Sequence, residues 1–231
     1  VLGGAAPTQL PATVNWTAQG LVTPVKYQGQ CGDCWTFCST GAIEGQLMKN
    51  TGQLVSLSEQ NLNDCSQKYG SEGCNGGNPE ESFQYVIDNN GIDTEASYPF
   101  LMADGNPCNY NPANVGAQMT GFVQIPSGNE TALQLAVAAI GPIACGFDAS
   151  GDVFQFYSEG YYNNPQCSNV NLDHCMTLVG YGTDEQGRDY WLLKNQYGTD
   201  WGVLGYMFLP RNANNYCGIV TDSSYPTGVT A

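Results

Sequence analysis

Positive charge is scarce in this 231-residue chain: six Lys and Arg stand against 21 Asp and Glu, a formal net charge of −15 with a pI near 4.1. Six cations cannot build the basic face that a phosphate backbone requires, so nucleic acid is not an expected partner. Long apolar runs are missing as well. The most apolar windows, Leu133–Ile140 and Met176–Val179, fall far short of the ~20 residues that cross a bilayer, and no membrane partner is expected. There is no repeat of fixed period and no low-complexity tract. Histidine occurs once, at His174. The chain opens on Val1-Leu2-Gly3-Gly4 with neither Met nor a charged-then-apolar signal segment, so residues 1–9 read as what remains of a removed N-terminal part.

What is present describes a globular protein. A hydrophobic content of 42% excludes disorder, and the length allows one large domain or two smaller ones sharing an interface. The acidity suits an acidic compartment, where protonation relieves carboxylate repulsion, and equally suits a solvated acidic surface. Ten cysteines point to disulfides in an oxidising compartment. Two sequons, at Asn15 and Asn129, are compatible with secretion.

Helical signals concentrate in the first half. Cys34, Cys38, Gly41, Gly45 and Met48 recur at helical spacing, and glycines inside that run predict a buried helix with a close backbone neighbour. Ser56-x-x-Glu59 predicts a capping box for a helix through Cys65. Asn78-Pro79-Glu80-Glu81 predicts a helix start with Gly91 as its stop, and Ser127-x-x-Glu130 opens a fourth helix through Ile140. Residues 143–148, 174–181, 190–195 and 205–210 read as short strands. A helical half followed by a β half argues for an α+β protein of two lobes, residues 10–121 and 122–231, with function in the groove between them.

The stretch QGQCGDCWTFC, residues 28–38, holds three cysteines. A structural zinc site needs four ligands, yet no second Cys-x-x-Cys exists and the one histidine is remote; no metal is expected. A redox dithiol needs a preceding strand in a βαβ setting, and VKYQGQ is too broken to supply one. The remaining reading makes Cys34 a nucleophile. It opens the helical run, where unpaired N–H groups and the positive helix end face its sulfur, and His174 is the one available base.

CGDCW near the N-terminus, with His174 and Asn195 far downstream, resembles the papain/cathepsin pattern. The resemblance runs through LPATVNW, QGQCGDCW, LSEQNLNDCS, GCNGG, LDHCMTLVGYG, YWLLKNQYGTDWGVLGY and CGIVTDSSYP, almost the whole chain. The sequence is similar to papain-like cysteine peptidases, cathepsin L-like ones in particular. The resemblance implies a papain-like two-lobed fold: a helical N-terminal lobe, a β-barrel-like C-terminal lobe, an active-site cleft between them, and terminal segments crossing between lobes. It implies Cys34 as nucleophile, His174 as general base and acid, Asn195 orienting the imidazole, and Gln28 with the Cys34 N–H as oxyanion donors. Substrate contacts are implied for Gly76, Gly77, Asn78, Pro79, Gly146, Leu172, Asp173, Cys175, Tyr197, Trp201 and Asp222. It also implies the disulfides Cys31–Cys74, Cys65–Cys108 and Cys167–Cys217, leaving Cys34, Cys38, Cys145 and Cys175 unpaired. A further Cys38–Cys145 bridge stays open.

Three positions depart from the family pattern. Asp33 replaces Ser or Ala before the nucleophile and opposes a thiolate unless it faces solvent or caps the helix. Tyr197 replaces the Trp that shields the His–Asn bond. Asp222 stands at the far end of the S2 pocket, where a small neutral residue is usual, so the pocket is expected to accept basic or polar P2 side chains besides hydrophobic ones; Asp222 turned to solvent is the competing reading. Asn78 adds polarity there and Gly146 adds room.

The function expected is that of a cysteine endopeptidase working through an acyl-enzyme. A chain whose one histidine is catalytic has none for the occluding loop of the dipeptidase relatives. Expected partners are peptide or protein substrates, the chain's own propeptide, and cystatin-like or thiol-reactive inhibitors, with a monomer as the working unit and no cofactor. The expected setting is lysosomal, another acidic vacuole, or a secreted digestive fluid. The alternative is a papain-fold homologue that has lost turnover and serves as a binding or structural protein.

Overall fold

Helices crowd the first half of the chain and antiparallel strands the second. The computed structural model describes residues 10–231; the expectation for residues 1–9 lies outside them. In chain order the elements are β1 (Val14–Asn15), α1 (Cys34–Thr51), α2 (Glu59–Cys65), α3 (Pro79–Asn89), β2 (Ile92–Asp93), β3 (Val115–Ala117), β4 (Gly121–Gln124), α4 (Glu130–Ala139), β5 (Ile143–Phe147), α5 (Asp152–Gln155), β6 (His174–Thr183), β7 (Asp189–Lys194), β8 (Tyr206–Pro210) and β9 (Ser223–Thr227).

Helix α1 is buried from Trp35 to Leu47, and fully buried Trp35, Ile43 and Leu47 each contribute ~1.5–3 kcal/mol by leaving water. Its glycines serve side-chain contacts, not the close backbone neighbour expected. A Cβ at Gly41 would lie 2.5 Å from Thr177 Oγ1, and one at Gly45 2.5 Å from Pro142. Two helix starts and one helix end also shift. The cap of α2 is Ser58, which accepts from Asn61 N at 2.9 Å, and the cap of α4 is Asn129, which accepts from Ala132 N at 2.9 Å. Glu59 cannot complete a capping box because its carboxylate holds Lys26. Helix α3 ends on left-handed Asn90, one residue before Gly91.

The main sheet runs β4-β9-β5-β6-β7-β8, all antiparallel, with β1 beside β6; β2 and β3 pair apart from it. Strands β4 and β9 have no clear signal in the sequence, since Pro226 argues against a strand interior. Pairing of β9 with β5 stops at Ser224, so Pro226 lies where β9 has β4 alone as partner and its missing N–H costs nothing.

Two apolar cores result. One gathers Phe147, Phe154, Met176, Leu178, Trp191 and Leu193; the other gathers Trp35, Ile43, Leu47, Leu62, Phe83 and Val86 with Ala144 and Cys175. Strands β5 and β6 serve both, because successive residues point to opposite faces: Cys145 and Met176 enter the first core, Ala144 and Cys175 the second. Near the start, β1 pairs with β6, and near the end Val229 enters the helical core and Asn50 Nδ2 donates to its carbonyl at 2.9 Å.

A buried polar network joins the lobes. Lys26 Nζ lies 3.1 Å from Glu44 and 2.6 Å from Glu59, Thr23 donates to Glu44 at 2.6 Å, and Lys194 donates to Thr23 at 3.1 Å. Burial alone would raise Glu44, but Lys26 and Lys194 outweigh it and hold the carboxyl below its ordinary range. Burial pulls Lys194 down to about 8.

Cysteine pairing departs from expectation at two positions. Bonds join Cys31–Cys74, Cys65–Cys108 and Cys167–Cys217, and a fourth joins Cys38 to Cys175, both expected as free thiols. Cys145 cannot take the place of Cys175 because the pleat of β5 turns it into the other core. Cys34 and Cys145 remain as thiols among the described residues.

Candidate active site

The loop before α1 is held at both ends. The Gln28 N–H donates to Gln196 O at 2.9 Å, Gly32 N to Cys74 O at 2.9 Å, and Trp35 Nε1 to Gly73 O at 3.1 Å. The contact between this loop and residues 73–77 leaves no room for side chains: a Cβ at Gly32 would lie 2.5 Å from Cys74 O, and one at Gly77 2.7 Å from the Trp35 ring. Gln28 is buried, and its Nε2 spends one N–H on Cys31 O at 2.7 Å, which leaves the second for a ligand.

Cys34 is the first residue of α1 and half-buried, at the helix end where backbone N–H groups lack intrahelical partners. His174 is the first residue of β6, 8% exposed, with Nε2 2.9 Å from Asn195 Oδ1. Asn195 follows β7 and is itself anchored by its N–H to Gly205 O at 3.0 Å. The Phe154 ring meets the imidazole edge-on at 5.3 Å between centroids, and Tyr197 lies tilted at 5.3 Å. Imidazole position is therefore set by a strand, a hydrogen bond and two rings.

Neither charge is stable alone. Burial pushes the isolated Cys34 thiol up to about 12, with Asp33 and Asp173 adding to the rise and the N–H groups of Cys175 and Trp35 opposing it. Burial lowers His174, with Asn195 and Asp173 opposing. A proton passed from sulfur to imidazole would turn two neutral groups into an ion pair, whose mutual attraction offsets the desolvation that opposes either charge alone, so the two groups would charge together.

Cys34 and His174 open into one cleft of about 480 Å³, lined also by Gln28, Gly32, Asn75, Gly76, Gly77, Asn78, Pro79, Gly146, Leu172, Asp173, Cys175, Tyr197 and Asp222. Trp201 lies instead in an adjoining depression with Tyr27, Phe156 and Tyr157, packed 5.0 Å from Phe154. Residues from both halves of the chain thus meet around one thiol.

Residues 10–227 match the family model described as papain family cysteine protease. The chain belongs to the papain family. It is 56% identical over 221 residues to a cathepsin L-like peptidase of Aedes aegypti, covering 96% of this chain and 65% of the relative. Cathepsin L of Sarcophaga peregrina is likewise 56% identical, over 222 residues, with 96% and 65% covered. Among solved structures, the digestive procathepsin L2 proteinase of Tenebrio molitor larval midgut superposes with a TM-score of 0.92 at 46% identity, over 98% of this chain and 71% of that one. The chain spans about 65% of the length of the curated relatives it matches.

Against the papain-family pattern, three local expectations need revision. Asp33 neither faces solvent nor caps α1: it is fully buried, its carboxylate makes no hydrogen bond within 3.5 Å, and burial holds it well above its ordinary value. Burial thus disfavours the charged form of Asp33 and weakens, without abolishing, its opposition to a thiolate at Cys34. Gly146 does not add room, because a Cβ there would lie 2.7 Å from Leu172 Cδ1; Leu172 fills the space. Cys175 lines the cleft as half of a disulfide.

Gln196 was not legible as part of the site. Its Nε2 donates to Cys175 O at 2.9 Å and packs 3.3 Å from His174 Nε2, while its carbonyl receives the Gln28 N–H. Adjacency to Asn195 was the one available signal.

Proposed function

We propose that this papain-family chain is a cysteine endopeptidase that cleaves peptide bonds by acyl transfer through Cys34. The observation that carries the reading is the opening of Cys34, at the N-terminus of buried α1, and His174, held by Asn195, into one cleft. The Cys34 thiolate attacks the scissile carbonyl. Gln28 Nε2 and the Cys34 N–H stabilise the oxyanion, and His174 delivers its proton to the leaving amine. Water, deprotonated by His174, then releases the acyl group. Asn195 orients the imidazole and Tyr197 screens that hydrogen bond.

Asp222 lines the cleft, half-buried, with burial and the nearby Glu80 raising its carboxyl. A carboxylate in such a place attracts a cation, so the S2 pocket takes basic or polar P2 residues besides hydrophobic ones. Substrates are peptides or proteins; the propeptide and cystatin-like or thiol-reactive inhibitors bind the same cleft, and the working unit is a monomer. A lysosomal or other acidic vacuole, or a secreted digestive fluid, accords with the acidic composition and with relatives such as digestive cysteine proteinase 2 of Homarus americanus.

Labelling by a thiol-reactive peptide tests the reading. Under reducing, mildly acidic conditions Cys34 takes up the label and Cys34→Ser abolishes both labelling and peptide hydrolysis; a wild-type protein that does not label refutes it.

A further inference from the structure

The Cys38–Cys175 bond differs from its companions in what it joins. Cys31–Cys74 and Cys65–Cys108 lie within the first 110 residues, and Cys167–Cys217 lies within the second half. Cys38–Cys175 spans 137 residues of sequence, from α1 to β6, with Cα atoms 5.9 Å apart. Among the described residues it is the one covalent tie between the nucleophile-bearing helix and the histidine-bearing strand.

Its place in the site is specific. Cys38 lies one helical turn beyond Cys34, and residues four apart share a helix face. Cys175 immediately follows His174. Its carbonyl receives Gln196 Nε2 at 2.9 Å, and the residue lines the cleft. Both cysteines are buried, at 0% and 4% exposure. Other contacts between the two halves, such as Lys194 Nζ to Thr23 Oγ1 at 3.1 Å and the Gln28 N–H to Gln196 O at 2.9 Å, are non-covalent.

We propose that the Cys38–Cys175 disulfide is a positioning element for the catalytic pair, a staple that fixes the separation of Cys34 and His174 across the lobe interface. The inference rests on the reading of these two residues as the reacting pair. A tie one helical turn from the sulfur and one residue from the imidazole leaves little slack between them. A displacement of 1 Å in such a pair costs on the order of 100-fold in rate.

Cys38→Ser breaks the bond and leaves the Cys175 side chain in place; Cys38→Ser/Cys175→Ser removes the new free thiol as well. Both are compared with Cys65→Ser/Cys108→Ser, which opens a disulfide inside the helical half. The staple variants are expected to lose at least tenfold in kcat with KM changed less than twofold. The rate of Cys34 alkylation by iodoacetamide, followed by peptide mass spectrometry from pH 4 to 8, should fall most on the acid side. Asp33, Asp173 and Tyr197, the ionisable groups facing the pair, are unchanged throughout. The control is expected to melt earlier with an unaltered alkylation profile.

Where the staple variants do not fold, the wild-type protein serves: during graded reduction with dithiothreitol, kcat should fall in step with the fraction of Cys38 and Cys175 found as thiols. An unchanged kcat and alkylation profile once the bond is open, or free Cys38 and Cys175 in the fully active protein, overturns the proposal. A wild-type Cys34 that never alkylates faster than an exposed thiol would instead overturn the peptidase reading beneath it.

Discussion

Asn195 Oδ1 stands 2.9 Å from Nε2 of His174, the one imidazole in the chain. In the proposed mechanism Asn195 accepts from Nε2–H, which leaves Nδ1 for the thiol proton. Asn195→Ala is expected to lower kcat/KM on the order of 10- to 100-fold, since a hydrogen bond to a charged group is worth ~1.5–3 kcal/mol. Steady-state kinetics on a dipeptidyl substrate checks it; a change below threefold would show that the flanking rings suffice.

Asp222 carries a pH signature. Burial first, then Glu80, raises its carboxyl above the ordinary 3.8, so its charge develops only above that value. Turnover of an Arg-Arg substrate relative to Phe-Arg should therefore climb as pH rises from 4 towards 7, and Asp222→Asn should flatten the climb. A wild-type ratio that stays level with pH would mean that Asp222 does not meet P2.

Asp33 is predicted to be a stability liability at neutral pH. Its folded-state value is raised above the ordinary 3.8 by burial, so the protonated carboxyl favours the fold at low pH. As pH rises past 3.8 the unfolded chain releases this proton before the folded one does, and stability falls by ~1.4 kcal/mol per unit until the folded group ionises. Asp33→Asn removes that slope. Denaturant unfolding at pH 4 and pH 7 should show the variant gaining on the wild type with pH; an equal difference at both would contradict the assignment.

The lobe-joining network has the opposite pH sense. Glu44 is depressed below its ordinary 4.5, so its contribution is complete above 4.5 and is lost as pH falls through the lower folded value. Lys26→Met leaves Glu44 and Glu59 buried without their cation, and should cost about 3–5 kcal/mol at neutral pH. The penalty should shrink at pH 3, because Glu44, no longer held down by Lys26, protonates more readily in the variant. Urea unfolding at both pH values distinguishes this from a packing defect, which would cost the same in each.

The sequence alone determined the local chemistry. CGDCW placed a thiol at a helix start, LDHC placed an imidazole at the head of a strand, and KNQYG placed an amide just beyond another, because turn residues and apolar periodicity act over a few positions. Helix starts were less legible. Ser56 and Ser58 both precede α2, and tertiary use of Glu59 by Lys26 decided between them. Strand β9 was hidden by Pro226, which is tolerated only because its neighbour on one side ends early.

Everything that depends on which faces meet was decided by the tertiary structure. A buried Asp33, the Gln196 contacts and the space at Gly146 taken by Leu172 are properties of apposed surfaces. So is the fourth disulfide. Ten cysteines allow many pairings, and only the pleat of β5 and β6, which turns Cys175 towards α1 and Cys145 away from it, selects Cys38–Cys175.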